Sequence, residues 1–339
     1  MASADQLKAL LKSHIAGDER RFRATALQLA AHEAKLGHGK LARELRTLMD
    51  EAQKSRAVDH PNPGYSIIPI ARPRGDLADI LSLHESKHRL ADLIVDPSLR
   101  AQLQRIVREH HAGAAIRAHG LQPRRKLLLV GPPGSGKTLT ASVLAAELGL
   151  PLFLVQLDSL ITRFMGETAS KLRLVFEAMT QTRGVYFFDE FDAIGSQRGA
   201  GNDVGEIRRV LNSFLMMIEQ DQSHSVLVAA TNHPEVLDRA LFRRFDDVLM
   251  YQLPDAEAIV GILNNRLSQR ASKGTSWKRL AKLALGLSAA DVVRAANEAL
   301  KHSIIESEDY VSEATIKVAL KERLQVQQQL NRSEASPGN

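Results

Sequence analysis

Residues 126–138 read KLLLVGPPGSGKT, a short apolar run followed at once by a glycine-rich loop, a lysine and a threonine. The loop matches the pattern G-x-x-x-x-G-K-[ST] in full, and the residues after it, LTASVLAAELG, repeat apolar side chains at helical spacing. A strand, a glycine loop and a helix in this order let backbone N–H groups surround phosphate oxygens. The positive end of the helix adds to that field. The stretch therefore predicts a nucleotide-phosphate site at the end of a buried strand.

Each position of this loop has a predicted task in holding ATP and Mg²⁺. The Lys137 ammonium lies on the β- and γ-phosphates, and the Thr138 hydroxyl holds Mg²⁺. The predicted nucleotide contacts from the loop are Gly131, Pro132, Pro133, Gly134, Ser135, Gly136, Lys137, Thr138 and Leu139. The alternative is a glycine turn with a purely structural role, and the flanking strand and helix patterns argue against it.

Two further apolar runs end in polar residues that suit a phosphate site. The run VYFF is followed by Asp189 and Glu190, and the run VLVAAT by Asn232. We expect Asp189 to hold Mg²⁺ through water and Glu190 to act as a base that orients the attacking water. Asn232 can hydrogen-bond the γ-phosphate or that water. Taken alone, the acids would be interpreted as solvated side chains and Asn232 as a turn residue.

The bulk composition excludes several classes of protein. The chain has 339 residues, a net charge of +6 and no cysteine, which excludes disulfides, thiolate zinc sites and a cysteine nucleophile. Because the N-terminus lacks a signal-peptide core and no apolar run has the length of a membrane span, we expect a soluble cytoplasmic protein with no membrane partner. The basic excess is spread along the chain. This favours an ordinary solvated surface, and nucleic-acid binding stays open as the alternative.

The pattern along the chain predicts an α/β fold with helical domains on either side. Residues 1–58 read as an N-terminal three-helix bundle, and the Pro- and Gly-rich residues 59–89 as a linker. Residues 90–253 are the nucleotide-binding α/β domain, residues 254–326 a C-terminal helical lid, and residues 327–339 a disordered tail.

Within the α/β domain, short apolar runs alternate with helical stretches. This pattern predicts a parallel five-stranded sheet with helices on both faces. The expected strands are 126–130, 152–157, 185–188, 226–230 and 248–253.

One further motif points to a different chemistry. Residues 84–88 read HESKH, a literal H-E-x-x-H. On a helix, His84 and His88 would face the same way and bind zinc, with Glu85 as the base of a metalloprotease. Such a site needs a third ligand, and the motif lies in the predicted linker rather than in a domain of its own. We therefore interpret it as a chance match.

From about residue 88 to 325 the chain resembles the AAA family of ATPases, in its protein-remodelling clade. The resemblance is carried by GPPGSGKT, VYFFDE, AATN, LDRALFRRFD and QLPD. It implies ATP hydrolysis by a ring, usually hexameric, with ATP between neighbouring subunits. It also implies that Arg243 or Arg244 completes the neighbour's site. Family members usually separate these arginines by two further residues, whereas here they are adjacent, so both remain candidates.

The same resemblance assigns residues to the substrate and to adenine. Phe164, Met165 and Gly166 are similar to the loop that AAA rings point into their central pore; the alternative is that Phe164 and Met165 are core residues. In the lid, the segment GLSAAD is similar to that of the protein-remodelling clade. The predicted adenine contacts are Ala289 and Ala290 in the lid, with Asp92 and Leu93 upstream of the glycine loop.

The resemblance implies that ATP hydrolysis drives remodelling or unfolding of a protein substrate. Compact bacterial ATPases of this type are often encoded beside a subtilisin-like protease, which makes a separate serine protease a candidate partner. The N-terminal helices then dock a partner or substrate, or alternatively help to assemble the ring. Two other functions stay open: a nucleic-acid-associated loader, and a regulatory switch controlled by nucleotide.

Overall fold

The computed structural model describes residues 73, 75–160, 165–192, 203–237 and 239–335. The predicted N-terminal helical bundle, residues 1–58, lies outside this part of the chain and stays a prediction. None of the helices that are described combines the length and the apolar character needed to cross a membrane.

A mainly parallel sheet forms the centre of the α/β domain. Its strands in chain order are β1 (Leu81–His84), β2 (Lys126–Val130), β3 (Leu152–Val155), β4 (Val185–Phe188), β5 (Val226–Thr231) and β6 (Asp247–Met250). Across the sheet the order is β1-β3-β4-β5-β2-β6, and every neighbouring pair is parallel except β1 with β3. The α/β fold class predicted from the sequence is confirmed, and the five predicted strands are present with small shifts at their ends.

The sheet has six strands, so the prediction of five strands is wrong. It lacks the edge strand β1. This strand comes from residues 59–89, which the sequence analysis assigns to a linker. It runs antiparallel to β3, with Leu81 opposite Val155 and His84 opposite Leu152. The sequence LSLH has only two apolar residues. An edge strand that is partly open to solvent needs no continuous apolar run, which is the signal that reveals a strand buried on both faces.

Helices cover both faces of the sheet. In chain order they are α1 (Asp76–Ile80), α2 (Pro97–His111), α3 (Gly113–Ala118), α4 (Lys137–Leu148), α5 (Leu157–Leu160), α6 (Met165–Gln181), α7 (Asp203–Gln220) and α8 (Arg239–Phe242). Alternate residues of a strand join different cores. In β4, Tyr186 and Phe188 belong to one hydrophobic cluster, and Val185 and Phe187 to the other. Burial on both faces explains why the whole run VYFF is apolar.

An aromatic group in one of these cores lies directly behind the end of β4. The Phe214 ring, from α7, has its centroid 4.7 Å from that of Phe191, 5.3 Å from that of Phe188 and 5.8 Å from that of Phe176. Phe214, Phe188 and Phe191 are all fully buried. Aromatic pairs at these separations contribute about 0.5–1.5 kcal/mol beyond the area that they bury.

Four helices with a hydrophobic core of their own form the C-terminal lid. They are α9 (Ala256–Leu267), α10 (Trp277–Leu283), α11 (Ala289–Ile305) and α12 (Glu313–Ala335). The last helix continues from 327 to Ala335, past residue 326, where the sequence analysis ends the lid. Elongation of an anchored helix is favourable for residues such as Gln, Leu and Ala, and the Gln327 side chain donates to the Gly286 carbonyl at 3.0 Å. Residues 336–339 lie outside the described part.

Replacing Phe214 tests how much the aromatic group contributes to the free energy of unfolding. We expect Phe214→Ala to lower the free energy of unfolding by about 3–5 kcal/mol, because it removes a buried ring and leaves a cavity. Met216→Ala on the same helix is the matched control, since that side chain is 47% exposed and should change stability by no more than about 0.5 kcal/mol. Urea unfolding followed by circular dichroism measures both values. Equal losses of stability in the two variants would contradict a large contribution of the Phe214 ring to the core.

Candidate nucleotide-binding site

The glycine loop between β2 and α4 is shaped by close backbone contacts on two sides. A Cβ atom on Gly131 would lie 2.5 Å from the carbonyl oxygen of Tyr251. Gly134 has a φ of 72°, and a Cβ there would lie 2.7 Å from Ser288 Oγ and 3.0 Å from Ala290 Cβ. Because L side chains rarely adopt such a φ and no space exists for one, both positions require glycine. The loop is thereby held between the end of β6 and the lid.

Lys137, the first residue of α4, is only 6% exposed, and its ammonium lies inside the loop. Its Nζ donates to the Gly131 carbonyl at 2.7 Å, to the Pro132 carbonyl at 2.9 Å and to Asn232 Oδ1 at 2.7 Å. Burial lowers the pKa of Lys137, and the Asp189 carboxylate acts in the opposite direction. A buried cation with neutral acceptors can exchange one of them for an anionic oxygen at a gain in electrostatic energy.

A hydroxyl and a carboxylate meet beside this ammonium. Thr138 Oγ1 donates to Asp189 Oδ2 at 2.9 Å. Oxygen ligands of these two kinds suit Mg²⁺, which is usually held by one or two protein groups together with nucleotide phosphates and water. The residues predicted to hold the metal are therefore adjacent, and their chemistry fits the ion.

Glu190 follows Asp189 in a backbone conformation that is unusual for a side-chain-bearing residue. Its φ is 49°, a region that costs an L residue about 1–2 kcal/mol. The Glu190 N–H donates to Asp189 Oδ1 at 3.0 Å, and the Glu190 side chain is exposed. The turn therefore aims the two consecutive acids differently, so that one faces Thr138 and the other faces solvent.

An open cleft of about 970 Å³ runs from this loop to the lid, within the size range that holds small-molecule ligands. The predicted residues that line it are Asp92, Leu93, Pro133, Gly134, Ser135, Gly136, Lys137, Thr138, Leu139, Asp189, Glu190, Asn232, Ala289 and Ala290. Gly131 and Pro132 are not among the lining residues; their carbonyl groups accept from Lys137. The structure thus brings the predicted phosphate, metal and adenine residues to one cleft.

The lid contacts the glycine loop directly. The Ala290 N–H, in the first turn of α11, donates to the Gly134 carbonyl at 3.0 Å. Ser288 caps this helix, since its Oγ accepts from the Asp291 N–H at 3.1 Å and donates to Asp291 Oδ2 at 2.6 Å. One peptide group of the phosphate loop is therefore bonded to the first turn of a lid helix.

The cleft also has polar lining residues that the sequence analysis did not assign to it. They are His88, Asn265, Arg266 and Arg294. Arg294 lies four residues after Ala290, so it lies on the same side of α11. This four-residue spacing is the feature of the sequence that could have placed Arg294 in the cleft. The other three offer no pattern, because they come from a segment before α2 and from α9.

Tyr251 braces the glycine loop, and sequence reasoning missed it. Its N–H donates to the Val130 carbonyl at 2.7 Å, and its hydroxyl donates to Thr140 Oγ1 at 2.6 Å. Burial raises the pKa of the Tyr251 hydroxyl, which keeps it a neutral donor. The tyrosine thus ties the end of β2 to the first turns of α4.

The two candidate arginines lie away from this cleft, in the turn that follows α8. Arg244 Nε lies 2.7 Å from Glu219 Oε1 in the same chain. Arg243 is exposed, and no residue in the described ranges forms an ion pair with it. Neither arginine lines the cleft of its own chain.

The predicted pore loop falls largely outside the described residues. Phe164 is not among them, and Met165 and Gly166 are the first two residues of α6. Their predicted contact with a substrate stays a prediction.

The H-E-x-x-H match does not form a helical metal site. His84 ends strand β1, and His88 lies in a non-helical segment after it. Across the described ranges, no group of three or more His, Cys, Asp or Glu side chains is placed to hold a metal ion. His88 instead lines the nucleotide cleft.

The close approach at Gly134 gives a test of the site. We expect Gly134→Ala to weaken ATP binding at least tenfold, because the new Cβ meets Ser288 and forces the loop or the lid to move. Gly274→Ala is the control: Gly274 also has a positive φ, of 93°, but nothing lies within 4 Å of its Cβ position. Titration of a fluorescent ATP analogue measures both affinities. A similar loss in both variants would mean that backbone strain, and not the lid contact, is responsible.

Comparison with known proteins identifies the family of this site. Residues 127–253 match the AAA family model, described as ATPase family associated with various cellular activities. In the solved structures, the AAA domain of FIGL-1 superposes with a TM-score of 0.59 at 22% identity, covering 81% of this chain and 98% of that one. That likeness supports the fold alone.

Curated relatives match over longer stretches. The uncharacterized AAA family ATPase y4kL of Sinorhizobium fredii is 38% identical over 322 residues, which are 95% of this chain and 96% of that protein. ATP-dependent zinc metalloprotease FtsH 1 of Methylacidiphilum infernorum is 35% identical over 244 residues, 70% of this chain but only 38% of that protein. The glycine loop, the paired acids and these matches together lead to one conclusion: the chain belongs to the AAA family of ATPases.

Proposed function

We propose that this ATPase works as one subunit of a hexameric ring and uses ATP hydrolysis to remodel or unfold a protein substrate. The observation that supports the proposal is that the candidate site residues lie at two separate places on the chain. Lys137, Thr138, Asp189 and Asn232 converge on one cleft, while Arg243, an exposed cation with no ion pair to any residue that the structure describes, lies elsewhere on the chain. An arrangement of this kind is completed by a second copy of the same chain.

In this proposal each residue of the cleft has one task in hydrolysis. Mg²⁺, when bound, would neutralise part of the phosphate charge. Thr138 and Asp189 would hold that ion, and Lys137 would leave one of its neutral acceptors to contact the phosphates. Asn232, bonded to Lys137 at 2.7 Å, is then within reach of the γ-phosphate or of the attacking water.

The Glu190 carboxylate is proposed to act as the base. It accepts a proton from water as the water oxygen forms a bond to the γ-phosphorus. The bond from that phosphorus to the bridging oxygen breaks, and ADP leaves with the electron pair. The exposed position of Glu190 beside Asp189 supports this role, because it faces the solvent of the cleft from which the water comes.

Arg243 is the better candidate for the cation supplied to the neighbouring subunit. Arg244 Nε lies 2.7 Å from Glu219 Oε1 of its own chain, so its guanidinium is already in an ion pair within the subunit. Arg243 is exposed beside it. An arginine supplied in trans typically contributes on the order of 10³–10⁵ to the rate of phosphoryl transfer, equivalent to about 4–7 kcal/mol of barrier.

The remodelling part of the proposal has two supports. The first is the resemblance of residues 164–166 to a pore loop. The second is the similarity to relatives that are named ATP-dependent zinc metalloproteases, a name that joins the use of ATP with proteolysis. We propose that a serine protease, as a separate chain, is a candidate partner and that residues 1–58 dock a partner.

Mixing two inactive variants tests the shared site. We expect Arg243→Ala and Glu190→Gln each to lower ATP turnover by about 10³ or more when assayed alone. A mixture should recover activity, because an Arg243→Ala subunit keeps its own Glu190 and receives Arg243 from a Glu190→Gln neighbour. Arg244→Ala should cost much less, since it removes a partly exposed ion pair. Failure of the mixture to recover, or a larger loss for Arg244→Ala, would overturn the assignment.

Substitution of Phe164 separates remodelling from the alternatives. We expect Phe164→Ala to reduce unfolding of a fluorescent protein substrate at least tenfold more than it reduces ATP hydrolysis, because Phe164 is proposed to grip the substrate and has no assigned role in hydrolysis. Parallel assays of both activities give this ratio. Stimulation of hydrolysis by DNA or RNA, with an affinity that falls steeply as salt rises, would instead favour a nucleic-acid loader.

A further inference from the structure

Two strand ends carry the groups proposed to act on the attacking water. Glu190 follows β4, and Asn232 follows β5. Neither is part of a strand, so something else must keep them at a fixed separation. Glu190 also has the positive φ of 49°, a conformation that persists only where the surrounding structure imposes it.

The residue after Glu190 is fastened to the neighbouring strand. The Phe191 N–H donates to the Ala230 carbonyl of β5 at 2.8 Å. The Phe191 side chain is fully buried and lies against Phe214, with ring centroids 4.7 Å apart. The main chain therefore turns sharply at Glu190 in order to bury Phe191 in the core.

The next residue, Asp192, holds the end of β5 itself. Its Oδ1 accepts from Thr231 Oγ1 at 2.8 Å and from the Asn232 N–H at 3.3 Å. Asp192 is 9% exposed and Thr231 is fully buried. Thr231 Oγ1 in turn accepts from the His233 N–H at 3.0 Å. Because a buried carboxylate is unfavourable unless it is hydrogen-bonded, Asp192 strongly favours one arrangement of the two strand ends.

Asn232 is thus held at two points. Its main-chain N–H is bonded to Asp192, and its side-chain oxygen accepts from Lys137 Nζ. Glu190 is held by the bonds of the two residues that follow it. Both groups are positioned through the same carboxylate and the same hydroxyl.

We propose that Asp192 and Thr231 form a clamp that sets the relative position of Glu190 and Asn232, and that both are positioning residues for ATP hydrolysis. The proposal rests on the proposed roles of Glu190 and Asn232. A displacement of about 1 Å at a reacting centre can reduce the rate on the order of 10²-fold. The clamp therefore affects turnover far more than it affects the affinity for nucleotide.

Thr231→Val tests the clamp, because valine keeps the shape of the side chain and removes the hydroxyl. We expect kcat to fall about 10- to 100-fold, while the Kd of a fluorescent ATP analogue changes less than about threefold. Thr231→Ser restores the hydroxyl and should recover most of kcat. Asp192→Asn keeps an oxygen acceptor and should lose less than Thr231→Val.

The matched control is Ser225→Ala, at the other end of β5. Ser225 is fully buried, and its hydroxyl donates to the Met179 carbonyl at 2.7 Å. Its removal should lower Tm about as much as Thr231→Val does and leave kcat within about twofold. If the two variants lower kcat equally, or if the Thr231→Val loss lies wholly in Kd, the clamp has no positioning role.

A double substitution shows whether the clamp acts through Asn232. We expect Thr231→Val combined with Asn232→Ala to lose less kcat than the product of the two single losses, since the second change removes the group that the first one misplaces. Multiplicative losses would contradict the proposal. If Glu190→Gln keeps full turnover, the proposed function itself fails; if it is inactive while Thr231→Val is fully active, the clamp alone fails.

Discussion

The alignment of three strand ends is the constraint on which the site depends. Val130 pairs with Thr231 and Phe188 pairs with Ala229, so β2, β5 and β4 finish close together at one edge of the sheet. A slip of one residue in β4 would move Asp189 by about 3.3 Å and turn it to the opposite face. The bond from Thr138 to Asp189, at 2.9 Å, does not survive such a shift. The chemistry of the cleft is therefore set by strand pairing before any side chain is placed.

Burial of apolar side chains maintains that alignment. The strands β4 and β5 are buried on both faces, and the Phe214 group closes one face directly behind the acids. Phe191 connects the hydrophobic core to the paired acids, because it belongs to this core and follows Glu190 in the chain. The hydrophobic effect thus contributes to a strained backbone at Glu190, the proposed base, so the proposal links core packing to turnover.

The parts of the fold that follow a local rule could be predicted from the sequence, and the parts that depend on distant residues could not. The glycine loop, Asp189, Glu190 and the five buried strands each have a contiguous signal. The antiparallel strand β1 has two apolar residues and gains its partner only when β3 is present. Asp192 has a role because Thr231, far along the chain, ends the neighbouring strand at the same level.

The bond between Gly134 and Ala290 has a mechanical consequence. Helix α11 has 17 residues, which at about 1.5 Å per residue makes an arm about 25 Å long. Its N-terminal end is hydrogen-bonded to the glycine loop that is predicted to surround the phosphates. If the helix pivots about that bond, a tilt of about 10° displaces the far end, near Ile304 and Ile305, by about 4 Å. Those two isoleucines are 55% and 77% exposed, so such a tilt would displace two apolar side chains at the surface.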